Sequence, residues 1–233
     1  MSDLHVKIEQ VKALLASAVA KFGAVTFANS LGAEDMVLTD LIARFQPEIA
    51  MFSLDTGRLP PETYDLIQAV RERYSVPLKV YFPAAQPVEE YVEKNGINGF
   101  YASVENRKAC CFIRKVEPLK RALTGKQAWI TGMRRDQAVT RVGLEVSAFD
   151  ADQGLHKFNP LLDWTNAEVW EYIKQYDVPY NKLHDRFYPS IGCAPCTRNV
   201  TPGEDIRSGR WWWENPENKE CGLHIASIIP KRT

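Results

Sequence analysis

A short apolar run, a polar turn and the start of a helical pattern follow one another in residues 25–35, VTFANSLGAED. Residues 25–28 have the β-branched and aromatic character of a strand, and residues 29–32 are small and polar enough to form a turn. Helical character then continues through residues 34–45. This order of strand, turn and helix is the unit from which parallel sheets are built.

The same unit recurs along the first half of the chain. Three further strand-like runs occupy residues 49–54, 78–82 and 128–131. A helical pattern over residues 62–74 follows Pro60 and Pro61, in keeping with the tolerance of a helix start for proline. The alternation predicts an α/β fold, a mostly parallel sheet with helices on both faces.

Small or polar residues follow three of these strands. They are Ser30 and Gly32 after the first, Asp55, Thr56 and Gly57 after the second, and Gly132, Arg134 and Arg135 after the fourth. Ligands of parallel sheets bind beyond the carboxyl ends of the strands. We therefore expect a binding site at this edge of the sheet.

The composition excludes several classes of protein. Of the 233 residues, 45% are apolar and 25% are charged, which excludes a disordered or coiled-coil chain. The 29 basic and 29 acidic residues balance, so no global positive field favours nucleic acid. No apolar run approaches the roughly 18 to 20 residues that span a bilayer, and residues 1–22 favour an amphipathic helix over a signal peptide. We expect a cytoplasmic protein with no membrane or nucleic-acid partner.

The pattern changes after residue 153. Thr165 and Glu168 form a capping box that predicts a helix start. Residues 199–233 are rich in Pro, Gly, Asn and charge, and the tryptophans at 211–213 favour packing over base stacking. We predict a single α/β domain over residues 1–198 and a C-terminal tail over residues 199–233.

Four of the five cysteines form two pairs, Cys110 with Cys111 and Cys193 with Cys196. Two pairs supply the four ligands that a zinc ion or an iron–sulfur cluster needs. Neighbouring side chains diverge, so adjacent cysteines suit a cluster better than one small tetrahedral ion, and both could bind it from one helix start. We favour iron–sulfur; zinc, a redox C-x-x-C and unliganded buried pairs remain alternatives.

Cys221 stands alone in a polar segment near the end of the chain. An unpaired cysteine in such a place is a candidate nucleophile, and a protonated His224 three residues on could lower its pKa. The alternative is an incidental tail thiol.

Six short motifs in this order closely resemble the assimilatory sulfonucleotide reductases, and among them the cluster-containing branch that reduces adenosine 5′-phosphosulfate (APS). They are Ser30-Leu31-Gly32-Ala33-Glu34-Asp35, Leu54-Asp55-Thr56-Gly57, Cys110-Cys111, Thr131-Gly132-x-Arg134-Arg135-x-Gln137, Gly192-Cys193-x-Pro195-Cys196 and Glu220-Cys221-Gly222-Leu223-His224. The resemblance covers residues 22–224. It implies an adenine-nucleotide α-hydrolase-like fold with a C-terminal redox tail, and a [4Fe–4S] cluster on the four paired cysteines. It also implies thioredoxin or glutaredoxin as electron donor.

The resemblance also assigns roles to single residues. It implies that APS is bound by Ser30, Gly32, Asp55, Thr56, Gly57, Lys115, Arg134, Arg135, Arg207, Arg210 and His224. Lys115 is expected one turn after Cys111 on the same helix, where it could reach cluster and substrate. Leu31 replaces a glycine of the related ATP pyrophosphatase loop, which we interpret as a change toward holding sulfate. Cys221 is the implied catalytic nucleophile, forming an S-sulfocysteine and releasing AMP before the donor thiol releases sulfite.

Three other functions stay open on the sequence alone. The 3′-phosphorylated substrate, PAPS, is the nearest alternative because a few cluster-bearing members accept both nucleotides. Leu31 and the tail cysteine argue against an ATP pyrophosphatase, and zero net charge argues against a zinc-stabilised nucleic-acid-binding module. A homo-oligomer is compatible with the sequence, which does not fix the oligomeric state.

Overall fold

The computed structural model describes residues 3–137 and 143–215. Within them, six strands form one sheet in the order β3-β2-β1-β4-β6-β5. The strands are β1 Val25–Ala28, β2 Ala50–Leu54, β3 Leu78–Tyr81, β4 Ala128–Ile130, β5 Ser147–Asp150 and β6 Leu155–Phe158. All neighbours pair in parallel except β5 and β6, which form an antiparallel edge.

The α-helices of the described residues precede, separate and follow these strands. They are α1 Asp3–Phe22, α2 Ala33–Phe45, α3 Pro61–Arg73, α4 Ala85–Asn95, α5 Val104–Cys111, α6 Glu117–Leu123 and α7 Asn166–Gln175. A π-helical turn, Phe112–Val116, joins α5 to α6 without a break. Short 3₁₀ turns include Lys182–Arg186 and Ala194–Cys196.

Helices cover both faces of the sheet because side chains alternate along its strands. Met51 and Ile130 lie in the larger core with α1, α2, α3 and α7. Their neighbours Phe52 and Trp129 lie in a smaller core with α6. The predicted α/β fold with a mostly parallel, doubly covered sheet is confirmed.

The four predicted strands are each within one residue of their expected bounds. The capping box is also present, since the Thr165 side chain accepts from the Glu168 N–H and the Glu168 carboxylate accepts from the Thr165 N–H. The sequence analysis did not predict β5 and β6, which extend the same sheet beyond residue 146. In the described part of the chain, no helix has the length and apolar character needed to cross a membrane.

Candidate functional site

The turn after β1 is a tightly bonded loop at the carboxyl edge of the sheet. Asn29 holds it from inside, with Oδ1 accepting from the Leu31 N–H at 2.7 Å and Nδ2 donating to Thr39 Oγ1 at 2.8 Å. Leu31 has a φ of +63° and is buried, a left-handed conformation that is strained for a leucine. Gly32 is the N-cap residue of α2, and as a glycine it makes no side-chain capping hydrogen bond to the helix. The start of α2 can therefore offer backbone N–H groups to an anion.

Asp35 closes this loop from the first turn of α2. Its carboxylate accepts from the Ser30 N–H at 2.6 Å and from Ser30 Oγ at 2.5 Å. Burial raises the pKa of Asp35 to about 6, although the Ser30 hydrogen bonds act in the opposite direction. A Cβ at Gly132 would overlap Asp35 Oδ1, so only glycine lets the end of β4 approach so closely.

A cleft of about 920 Å³ opens above this edge of the sheet. That volume is typical of a small-molecule site. Of the residues expected to bind substrate, those that line it are Ser30, Gly32, Thr56, Lys115, Arg134, Arg207 and Arg210. The segment 200–207 forms one wall, so the beginning of the predicted tail takes part in the cleft.

Three other expected substrate residues are not among those that line the cleft. Asp55 accepts from the Gly57 N–H at 2.7 Å and from the Tyr64 hydroxyl at 3.0 Å, and so holds the turn after β2. Gly57 has a φ of +71°, which that turn requires. Arg135 pairs with Asp163 at 3.1 Å and donates to the Leu144 carbonyl at 2.8 Å. The structure does not bring these three to the cleft wall.

Arg134 and Arg210 both line the cleft. Arg134 is buried and forms ion pairs with Glu34 at 2.9 Å and Asp136 at 2.8 Å. Arg210 donates to the Ile191 carbonyl at 3.1 Å, and a Cβ at Gly192 would overlap its guanidinium. Gly192 therefore makes room for a cation next to the cysteine loop.

The four paired cysteines line a second, smaller cavity beside the cleft. Cys110 and Cys111 come from the end of α5, and Cys193 and Cys196 flank the 3₁₀ turn. The sequence analysis placed Cys110 and Cys111 at the start of a helix, and this position was wrong. The two cysteines end α5, and the π-helical turn follows them. Within residues 3–137 and 143–215, no three His, Cys, Asp or Glu side chains converge tightly enough to hold a single metal ion.

The thiols of this cavity differ in their preference for charge. Burial alone would raise the pKa of Cys193, but Lys115, a hydrogen bond with Thr56 and Arg210 together lower it. The Thr56 Oγ1 and Cys193 Sγ atoms lie 3.2 Å apart. Burial and the neighbouring Cys193 raise the pKa of Cys196 to about 12. The surroundings thus favour negative charge at Cys193.

Lys115 and Trp211 line both the cysteine cavity and the cleft. Lys115 lies on the π-helical turn that directly follows Cys111. The chain is therefore helical from Cys111 to Lys115, as expected, but it is wound more widely than an α-helix. Lys115 therefore places a cation at the junction between the four-thiol cavity and the cleft at the sheet edge.

Three arginines that line the cysteine cavity, Arg58, Arg107 and Arg114, were missed by the sequence analysis, and two of them lie close to the cysteine pair in sequence. Arg114 is buried and donates to the Thr56 carbonyl at 2.7 Å. Arg107 is buried and forms two hydrogen bonds with the Glu214 carboxylate. Their signal is spacing: residues three and four apart share a helix face, which relates both arginines to the cysteine pair. Cys221 and His224 lie outside the described residues.

Comparison with known proteins gives a consistent result. Residues 24–199 match the sequence model of the phosphoadenosine phosphosulfate reductase domain. The chain is 54% identical over 228 residues to a Burkholderia cepacia protein named adenosine 5′-phosphosulfate reductase, covering 98% of this chain and 91% of that one. A protein of the same name from Allochromatium vinosum is 53% identical over 219 residues, covering 94% and 86%.

Solved structures agree on the fold. The crystal structure of phosphoadenylyl-sulfate (PAPS) reductase from Candida auris superposes with a TM-score of 0.71 at 30% identity, covering 86% of this chain and 98% of that one. Candida glabrata FMN adenylyltransferase has a TM-score of 0.61 at 16% identity, covering 98% and 84%. This second likeness concerns the fold alone and agrees with the expected adenine-nucleotide α-hydrolase-like architecture.

Proposed function

The chain belongs to the phosphoadenosine phosphosulfate reductase family, and we propose that it reduces APS to sulfite and AMP in sulfate assimilation. The observation that carries this proposal is the junction at Lys115, where a cavity lined by four cysteines meets a cleft of nucleotide size. The names of relatives about half identical along nearly the whole chain support APS as the substrate. The protein is an oxidoreductase.

We propose that Cys110, Cys111, Cys193 and Cys196 bind a [4Fe–4S] cluster. Four thiols around one cavity are the ligand set that such a cluster takes. The buried indole N–H groups of Trp211 and Trp213 have no hydrogen-bond partner among the described atoms, and Trp211 lines the cavity. Arg107, Arg114 and Lys115 supply positive charge there. A bound cluster would supply structural support and negative charge beside Lys115.

The substrate carries a nucleotide and a phosphosulfate anion, and the cleft offers groups for both. We propose that Ser30, Gly32 and the start of α2 hold an anionic group through N–H and hydroxyl donors. Lys115, Arg207 and Arg210 would offset negative charge at the phosphosulfate, since all three line the same cleft. Asp55 and Gly57 contribute by shaping the turn that presents Thr56.

We propose that the Cys221 thiolate attacks the sulfur of APS. The S–S bond of an S-sulfocysteine forms, the bond from sulfur to the phosphate oxygen breaks, and AMP leaves with the electron pair. Repulsion between thiolate and sulfate opposes the attack, and fixed cations reduce that repulsion. His224, three residues on, is proposed to assist on the substrate side.

A donor thiol then completes the reduction. A thiolate of thioredoxin or glutaredoxin attacks the Cys221 sulfur, sulfite leaves, and the donor's second cysteine resolves the mixed disulfide. These two steps supply both electrons.

The proposed setting is the cytoplasm, where such thiols are kept reduced. Balanced net charge supports the absence of a nucleic-acid partner.

PAPS reduction is the second candidate, favoured by the structural likeness to a PAPS reductase. The two activities separate in one assay: purified protein with reduced thioredoxin, given APS or PAPS in parallel, with sulfite release measured. We expect a kcat/KM for APS at least about tenfold higher, a difference of ~1.4 kcal/mol. Higher efficiency with PAPS would reverse the assignment.

A further inference from the structure

A buried ion pair joins the helix of the first cysteine pair to the last part of the described chain. Arg107 Nε donates to Glu214 Oε1 at 2.9 Å, and its Nη2 donates to Oε2 at 2.7 Å. The two side chains are 1% and 3% exposed. Arg107 is three residues before Cys110 on α5, so the pair begins at the cysteine cavity itself.

The segment 210–214 is held against the cysteine cavity by more than this pair. The Arg107 guanidinium lies 4.5 Å from the centre of the Trp211 ring, and the Arg210 guanidinium lies 4.9 Å from it. Trp213 packs against Phe100 and Tyr101, with ring centroids 6.3 and 4.5 Å apart. The Arg107–Glu214 ion pair thus adds to cation–π and aromatic contacts that hold this segment in place.

A buried ion pair is a poor choice if stability is the only requirement. Desolvation of both charges offsets their attraction, and apolar residues of similar size often serve equally well. What the pair does provide is geometry, because a bidentate arginine–carboxylate contact fixes both groups in one relative orientation. The Arg107–Glu214 pair therefore fixes the position of Glu214 relative to α5.

Cys221 lies seven residues after Glu214. A chain of that length spans at most about 25 Å when fully extended. The position of Glu214 therefore limits which positions the Cys221 sulfur can reach. Trp211, three residues before Glu214, lines both the cysteine cavity and the cleft.

We propose that Arg107 and Glu214 are positioning residues that anchor the C-terminal tail at residue 214 and so deliver Cys221 to the substrate in the cleft. This inference rests on the proposed function, since it assumes Cys221 as the nucleophile. The pair acts on thiol delivery and not on nucleotide binding. It also makes delivery depend on α5, the helix that ends in the first cysteine pair.

The test is a single turnover under anaerobic conditions. Holoenzyme is mixed with excess APS without a thiol donor, and S-sulfonated Cys221 is measured by mass spectrometry over time. Glu214→Gln removes the charge and one acceptor; we expect its rate constant to fall by about 10- to 100-fold, the range that misplacement of a reacting group produces. AMP affinity, iron content and the final extent of sulfonation should match the wild type.

Two further variants complete the experiment. Asp177→Asn is the matched control, because it removes the same charge from an exposed ion pair with Arg73; its rate should be unchanged. Arg107→Lys keeps the charge but loses the bidentate contact, and we expect an intermediate rate. If Glu214→Gln does not accumulate, Glu214→Asp serves in its place, since a shorter side chain cannot hold the same geometry.

The outcomes separate the two proposals. A slower rate at full extent supports the anchor. A wild-type rate in Glu214→Gln overturns it, and so does an unchanged rate constant with a reduced final extent and lower iron content, which is the result of a purely structural role. Absence of S-sulfocysteine in the wild-type protein overturns the proposed function itself.

Discussion

The side-chain hydrogen bonds within the loop after β1 join residues two to ten positions apart, whereas those around the cysteine cavity include contacts across 58 to 137 positions. Ser30 bonds to Asp35 and Asn29 to Thr39 within one strand–turn–helix unit. Thr56 meets Cys193 across 137 positions, and Arg107 meets Glu214 across 107. These loop bonds lie within one strand–turn–helix unit, but the cavity requires segments from distant parts of the chain.

This difference indicates that the two regions have different roles. We propose that the local loop holds an anionic group of the nucleotide at the edge of the sheet. The cavity brings distant segments together beside it, which suits the coupling of a cluster, a cation and the tail. Substitutions in the loop should therefore act on binding and local stability, and substitutions around the cavity should act on turnover.

Cys221→Ser should have the largest effect, because it removes the proposed nucleophile and leaves both regions intact. We expect sulfite release with APS and reduced thioredoxin to fall below detection. AMP binding by calorimetry and iron content should be unchanged. Residual sulfite release near the wild-type rate would remove Cys221 from the mechanism.

Lys115→Ala tests the junction between the two regions. Lys115 lines both, so its loss should reduce kcat/KM for APS by about 10²- to 10³-fold, as removal of one group that stabilises developing charge does. Most of the iron should be retained, because the four thiols remain. Steady-state kinetics with iron analysis provides the measurement, and unchanged kinetics would break the proposed link.

Asp35→Asn tests the electrostatics of the loop alone. Burial raises the pKa of Asp35 to about 6 from 3.8, so the folded protein holds this proton more tightly than the unfolded chain. Ionisation of Asp35 therefore lowers the free energy of unfolding as pH rises from about 4 to about 6. The Asp35→Asn variant has no carboxyl group to ionise at this position, so it does not lose this stability.

Urea unfolding of both proteins at several pH values measures the effect. The stability of Asp35→Asn relative to wild type should increase across that window by up to ~3 kcal/mol, the free energy that corresponds to such a shift. Parallel stability curves would show that Asp35 does not titrate as the buried geometry indicates.

Gly132→Ala should have the smallest effect. The added methyl group would overlap Asp35 Oδ1, and overpacking of this kind costs about 1–3 kcal/mol. We expect a lower free energy of unfolding and a higher KM for APS. Gly143→Ala is the control, since a Cβ there has no neighbour within 4 Å among the residues that the structure describes. Equal behaviour of the two variants would mean that the loop tolerates displacement.

The same contrast explains what the sequence could predict. Apolar runs between turns mark the first four strands. The strands β1, β2 and β4 are mostly buried, and in the edge strand β3 only Leu78 is buried. The runs at 147–150 and 155–158, SAFD and LHKF, mix polar and apolar residues. Their place in the sheet depends on tertiary pairing, since β6 pairs with β4 and β5 pairs with β6. The grouping of four cysteines was predictable from their number and spacing.

Other features of the site depend on tertiary structure. Arg134 and Arg135 are neighbours in the sequence, yet one lines the cleft and the other pairs with Asp163, a choice that residue type does not encode. Nothing in the sequence around Glu214 identifies its partner. Its partner becomes evident only when the fold brings α5 to it.

The most direct test of the account is the visible spectrum of anaerobically purified protein, taken with iron and acid-labile sulfide counts. A brown protein with a broad band near ~400 nm and about four irons and four sulfides per chain is the predicted result. A colourless protein with one zinc ion would keep the fold and family but contradict the proposed cluster in the cavity that the four cysteines line.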